Sequence, residues 1–171
     1  MQQLRKFLFH LMTLAFTFFL VSNAYASKLT IPLYLTSDQG SPKFIGNVIA
    51  EDTPYGLLLT PNLKDLPPGI HGFHVHEMPS CDHMGMAAGG HLDPQHTGKH
   101  LGPYNNQGHL GDLPALTVNK EGEAKLPLLA PRLKAQQLKG HALMIHVGGD
   151  NYSDVPEKLG GGGPRLACGV S

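Results

Sequence analysis

The sequence predicts an all-β fold: an antiparallel sandwich or barrel of eight short strands, with long metal-organised loops. Three observations predict it. The 171 residues hold 21 glycines and 14 prolines and no tryptophan. Their apolar runs are short and separated by turn residues, which favours strands over long helices. Five histidines crowd into one irregular stretch between the strand candidates. The length suits one domain with a real core, and no internal repeat or second domain is visible.

Leu29 to Leu35 opens the fold, with Leu29, Ile31, Leu33 and Leu35 alternating onto one side as a half-buried strand requires. Phe44 to Ala50, Gly56 to Thr60 and Ile70 to His76 are the next three candidates. Glu77 to about Leu113 follows, rich in Gly, Pro, His and Asn. Ala115 to Val118, Ala124 to Leu129 and Ala142 to Val147 read as three further strands, and Arg165 to Val170 as the eighth. Asn151 to Pro164, with four consecutive glycines at 160–163, is a second long loop. A structureless loop of over thirty residues normally argues against an assignment unless it is functional or disordered. Here its histidines offer another source of order.

The N-terminus reads as a leader. Arg5 and Lys6 precede a mostly apolar run, Phe7 to Val21, too short to span a bilayer comfortably. Ala24-Tyr25-Ala26 supplies the small-x-small pattern before a signal-peptidase cut. The expectation is a cleaved signal peptide at 1–26 and a mature domain at 27–171, exported to the periplasm and not held in a membrane. Thirteen basic residues balance thirteen acidic ones, which gives no electrostatic case for nucleic acid. Two cysteines, Cys81 and Cys168, remain in a chain exported to an oxidising compartment, where an even count reads as a disulfide. Closing a loop of nearly ninety residues would stabilise the fold by about 3–5 kcal/mol.

Ten histidines follow the leader. His74 and His76 stand at i and i+2, so on a strand both rings leave one face and can grip one transition metal. Alone, that pair is a weak signal. His91, His100, His109 and Asp112 add three imidazoles and a carboxylate, a complete tetrahedral donor set that suits zinc. Such a site keeps no open position, so it would order the loop and do no chemistry itself. Metal–ligand bonds can offset the ordering entropy that a polar loop cannot recover by burial. His146, near the end of its strand, can join His74 and His76. His91 is the best candidate for a fourth donor there, because an imidazole has two ring nitrogens and can bridge two metals when deprotonated.

Gly72-Phe73-His74-Val75-His76-Glu77 resembles a signature of the copper/zinc superoxide dismutases, as does Gly163-Pro164-Arg165-Leu166-Ala167-Cys168-Gly169. Three further stretches are similar to the bacterial periplasmic branch: Gly98 to Pro103, Gly108 to Asp112, and Gly140 to His146. The resemblance covers about Leu29 to Ser171, with its motifs in order. It implies an eight-stranded Greek-key β-barrel. It implies copper on His74, His76, His91 and His146, and zinc on His91, His100, His109 and Asp112, one ion of each per subunit. Arg165 would stand beside the copper and attract superoxide. Asp150 would link His74 to His100, and Cys81 and Cys168 would form the family disulfide. The implied reaction converts two superoxide anions to dioxygen and hydrogen peroxide on a copper that cycles between Cu(II) and Cu(I). His91 would deliver a proton to the nascent peroxide.

The fit is not complete. Between His146 and Arg165, eukaryotic relatives carry a set of steering charges, whereas Asn151 to Pro164 offers only Asp154, Glu157 and Lys158. The Cys81–His91 loop is short for a bacterial member, and that region can serve steering and dimer contacts. A homodimer and a monomer are both compatible with the sequence. His71 and His141 read as hydrogen-bonded structural histidines and His96 as a solvated loop residue. His83, Met84 and Met86 form a soft donor set that could hold Cu(I) transiently, or else a plain surface loop. The rival function is a periplasmic copper/zinc-binding protein without turnover, against which all seven ligand positions and Arg165 are intact. A zinc hydrolase would need an open zinc position and a general base. A plain adhesion module would leave the ordered histidines unexplained.

Overall fold

A computed structural model describes residues 27–36 and 42–171; the proposed leader lies outside the described residues. Nine strands form among the described residues: β1 (Lys28–Leu35), β2 (Phe44–Thr53), β3 (Gly56–Leu63), β4 (Gly69–His71), β5 (Phe73–His76), β6 (Leu116–Val118), β7 (Leu128–Ala130), β8 (Ala142–His146) and β9 (Arg165–Val170). Helical structure among the described residues is limited to three 3₁₀ turns, at Met86–Ala88, Ala135–Leu138 and Lys158–Gly161. None is long and apolar enough to cross a membrane.

Seven strands make one antiparallel sheet in the order β5-β8-β9-β1-β2-β3-β7, and β4 pairs with β6. β5 lies beside β8 and β3 beside β7, so the chain crosses the barrel instead of always stepping to a neighbour. This is the Greek-key trait. The ring closes through a hairpin. Asn119 N–H donates to the Glu123 carbonyl at 2.9 Å, and Ala124 bridges back to Leu63 of β3.

Two expected strands are cut differently. Ile70 to His76 is two strands, because the chain changes partners at Gly72. Its N–H donates to the Gly148 carbonyl and its carbonyl accepts from His146 N–H, each at 2.8 Å. β4 therefore pairs with β6 and β5 with β8. Ala124 to Leu129 shrinks to Leu128–Ala130, with Ala124 as an isolated bridge. Pro127 lies between them and has no N–H to give a ladder.

The alternation on β1 places Ile31 and Leu33 in the core, with Val48 and Ala50 of β2 and Leu57, Leu59 and Leu63 of β3. Phe73 and Val75 of β5 enter the same core, as do Leu143 and Ile145 of β8. Their neighbours on the opposite face, His74, His76 and His146, point out of the barrel. All three are buried nonetheless, because the 77–113 loop folds over that face and Gly162 and Gly163 cover His146.

Candidate metal centre

The loop is pinned to the open edge of β5. Val75 N–H donates to the Gly111 carbonyl at 2.9 Å, Leu92 N–H to the Val75 carbonyl at 2.8 Å, and Gly111 N–H to the Leu92 carbonyl at 2.9 Å. His76 bridges to His91 and His74 to Asp112. The loop thus acts as a substitute strand that covers an exposed edge. The fit demands glycine at 111, where a Cβ would lie 2.2 Å from the Val75 carbonyl oxygen.

This pinning sets His91 against His74, with ring centroids 3.9 Å apart. His74, His76, His91 and His146 form one group whose donor atoms all lie within 4.8 Å of one another. His91, His100, His109 and Asp112 form a second group by the same measure. His91 belongs to both. Its Nδ1 lies 3.0 Å from Asp112 Oδ1, and its Nε2 is buried without a partner. His76 Nε2 and His146 Nε2 face each other at 3.4 Å.

The residues fit metal ions on three counts. His74 Nδ1, His91 Nε2 and His100 Nδ1 are buried with no hydrogen-bond partner, a costly arrangement for a polar atom unless it meets a ligand. His100 Nδ1 sits 3.0 Å from Asp112 Oδ1 without bonding it, as two donors turned to one ion would. The protonation states also agree. Burial, with His91 alongside, lowers His74 to about 3 and His76 to about 2. Burial also lowers His146 to about 4 and depresses His91. These rings stay neutral and keep lone pairs to give. His100 goes the other way: burial opposes its charge, but Asp112 and Asp150 outweigh that and raise it to about 9. The space between those carboxylates favours positive charge.

Four further ring nitrogens have an anchor. Asp150 Oδ2 accepts from His74 Nε2 and Oδ1 from His100 Nε2, both at 2.8 Å. His76 Nδ1 donates to the Gly89 carbonyl and His146 Nδ1 to the Gly163 carbonyl, both at 3.0 Å. Asp112 Oδ2 accepts the backbone N–H groups of Leu101 at 3.2 Å and Gly102 at 3.1 Å, which leaves Oδ1 for the ligand side. Anchors of this kind fix the ring orientation a metal needs.

Arg165 enters through a bulge. The β8–β9 register slips between Ile145 and His146, so His146 pairs with Arg165. Bulges often re-aim side chains beside functional sites. The half-buried guanidinium donates to the carbonyls of Gly85 and Gly89. Its charge helps depress both His76 and His146, so it acts on the four-histidine group.

The sequence profile described as "Copper/zinc superoxide dismutase (SODC)" matches residues 45–171. The chain belongs to this family. A Salmonella typhimurium superoxide dismutase [Cu-Zn] 1 is 59% identical over 153 residues, which cover 84% of this chain and 86% of that one. The solved Cu/Zn superoxide dismutase of Brucella abortus matches with a TM-score of 0.79 at 48% identity, covering 84% of this chain and 99% of that one. The solution structure of the monomeric copper, zinc superoxide dismutase of Salmonella enterica matches at 0.74 with 54% identity and the same coverages.

Three supports of this superoxide dismutase fold were not foreseen from the sequence, where Asp154 stood only as a loop charge. Arg132 donates to four loop carbonyls, those of Pro103 at 3.0 Å, Gly108 at 3.2 Å, Gly102 at 3.3 Å, and His109. Tyr152 lies against Gly102, and its hydroxyl accepts Ala115 N–H at 2.9 Å. Asp154 accepts His100 N–H at 2.9 Å. Arg132→Met keeps the bulk of the side chain but removes all its donors. Zinc release to a chromophoric chelator is then expected to quicken about tenfold, the low end for loss of an outer anchor. An unchanged release rate would dismiss that role. His71, His141 and His96 join neither donor group. His71 lies between the His146 and Pro67 carbonyls at 2.8 Å each, His141 Nδ1 is 2.7 Å from the Glu77 carbonyl, and His96 is exposed.

Cys81 and Cys168 are bonded, with Cα atoms 5.8 Å apart and a sequence separation of 87. The bridge and the Arg165 guanidinium both tie the 81–89 loop to β9. Cys81→Ser/Cys168→Ser is expected to lower unfolding stability by about 3–5 kcal/mol, read from urea midpoints. Superoxide turnover should fall too, because Arg165 loses the fixed carbonyls that aim it.

Proposed function

We propose that His74, His76, His91 and His146 hold the copper of a superoxide dismutase, and that His91, His100, His109 and Asp112 hold its zinc. The enzyme disproportionates two superoxide anions to dioxygen and hydrogen peroxide. One observation carries the assignment: His91 alone belongs to both donor groups, with Nδ1 toward Asp112 and Nε2 unpartnered toward the other three rings. When bound, copper supplies a one-electron couple that imidazole ligands support in both oxidation states, and zinc supplies fixed charge that orders the loop.

The chain's own groups supply the rest. Arg165 holds and orients the small anion through a guanidinium that stays charged at any relevant pH. A proton taken up at His91 Nε2 can pass to the reduced oxygen product. Asp150 keeps the rings of His74 and His100 turned so that their Nδ1 atoms face inward. Metal analysis and a superoxide assay on one preparation test the reading together. Equal copper and zinc with rapid consumption supports it. A single bound ion, or two ions at unconnected positions, would overturn it.

Export belongs to the same reading. The Cys81–Cys168 bridge supports an oxidising compartment. Signal cleavage after Ala26 with release into the periplasm accounts for the apolar start. N-terminal sequencing tests this, and a mature chain starting at Met1 or Gln2 would refute it.

A further inference from the structure

The copper–zinc centre leaves one group of metal-binding side chains unused, on the loop that forms its outer wall. His83, Met84 and Met86 follow Cys81 and Asp82. His83 is exposed, and Met84 and Met86 are 49% and 63% exposed. The backbone beneath them is unusual. His83 and Met84 have φ of 54° each, and Gly85 continues at 80°. Left-handed backbone costs a non-glycine residue roughly 1–2 kcal/mol and is normally visited singly; residues held in such regions cluster at functional sites. Met86 N–H donates to the His83 carbonyl at 3.1 Å. Such a turn brings residues 83 and 86 within about 7 Å at Cα, a span that an imidazole and a thioether can close around one ion.

The turn is also wired to the centre. Gly85 and Gly89 take the Arg165 guanidinium on their carbonyls, and Gly89 also takes His76 Nδ1 at 3.0 Å. Gly85 packs against the thioether of Met144, which is buried two residues before His146. One imidazole beside two soft thioethers selects cuprous ion over zinc or cupric ion. We infer that His83, Met84 and Met86 form an entry site that captures Cu(I) and passes it to His76 and His146. The inference rests on the assignment of copper to the four-histidine group. Transfer is ligand exchange without electron transfer: the Cu–S bonds to Met84 and Met86 and the Cu–N bond to His83 break as Cu–N bonds to His76, His146 and then His74 form, and the ion stays Cu(I). No proton moves, because His76 and His146 each keep a ring N–H at Nδ1 on the Gly89 and Gly163 carbonyls, which leaves Nε2 to take the ion.

The test uses full-length mature protein, zinc-loaded and copper-free, with Cu(I) presented anaerobically as its bicinchoninate complex. His83→Ala/Met84→Ala/Met86→Ala should acquire copper about tenfold more slowly than the parent. Final copper content and turnover per bound copper should match the parent, and loading from Cu(II) should be equally fast in both. Met84→Leu/Met86→Leu keeps the apolar bulk without sulfur and should be slowed as well, which separates loss of donors from collapse of the turn. Parent protein with His74→Ala/His76→Ala should still bind Cu(I), with sulfur neighbours in X-ray absorption that vanish in the added triple variant. Identical Cu(I) loading in parent and triple variant, with copper reaching a nitrogen-only environment, would end the entry site alone. A parent that never places copper among nitrogens would overturn both the entry site and the copper assignment beneath it.

Discussion

Arg165→Glu lowers the superoxide rate constant by roughly 10–1,000-fold while copper remains bound. That is the general range for electrostatic steering, of which this enzyme family is itself a standard case. The guanidinium is no ligand, so its loss leaves the four imidazoles in place. The substrate is a small anion, and the surrounding segment supplies little to replace the lost cation. Asn151 to Pro164 carries Asp154, Glu157 and Lys158, and Asp154 is already committed to the His100 and Leu159 N–H groups. The sign of the salt dependence separates steering from damage. Added salt screens whatever field the anion meets. The parent rate should therefore fall with ionic strength, and the variant rate should rise. Arg165→Lys keeps the charge but loses the planar fork that grips two carbonyls at once, so its loss should be smaller. An unchanged rate in Arg165→Glu, with full copper, would remove Arg165 from the mechanism.

How much of this could be read in advance depended on whether a feature has a side-chain signature. His74 and His76 were legible because strand period and donor type coincide, and Leu29 to Leu35 because alternation survives in any half-buried strand. The division of Ile70 to His76 was not, because apolar and polar residues continue unbroken through Gly72 and only the change of hydrogen-bond partners marks the corner. Arg132 was invisible for a related reason. Its partners are carbonyls of residues 102, 103, 108 and 109, and every residue has a carbonyl. Nor does any pattern near Gly85 or Gly89 announce that Arg165 will bind there. Asp150 came only from family resemblance, since a carboxylate four residues after a histidine has no meaning until His100 is brought to it from fifty residues away. The donor set could be read from side chains, but the parts that aim it are largely backbone groups.

Asp150→Ala weakens zinc by roughly 10–100-fold, the range for loss of a group that orients a ligand, and weakens copper less. One carboxylate serves both donor groups, with His74 on Oδ2 and His100 on Oδ1 at 2.8 Å each, so the asymmetry must come from what else holds each ring. His74 sits on β5, whose backbone is fixed by pairing with β8. His100 sits on irregular chain, and its other anchor is the Asp154 carboxylate on its N–H. With the carboxylate gone, the His100 ring has farther to drift. The pocket itself would also change, because Gly160, at φ 76°, is packed so closely that a Cβ there would lie 2.1 Å from Asp150 Oδ1. Asp150→Asn should do little better. An amide keeps one acceptor, so its NH₂ must face the second ring N–H, donor against donor. Chelator competition, run separately for zinc and copper on the same preparations, measures both losses. Equal zinc affinity in variant and parent would refute the role. Equal losses for the two ions would show instead that strand and loop hold their rings alike.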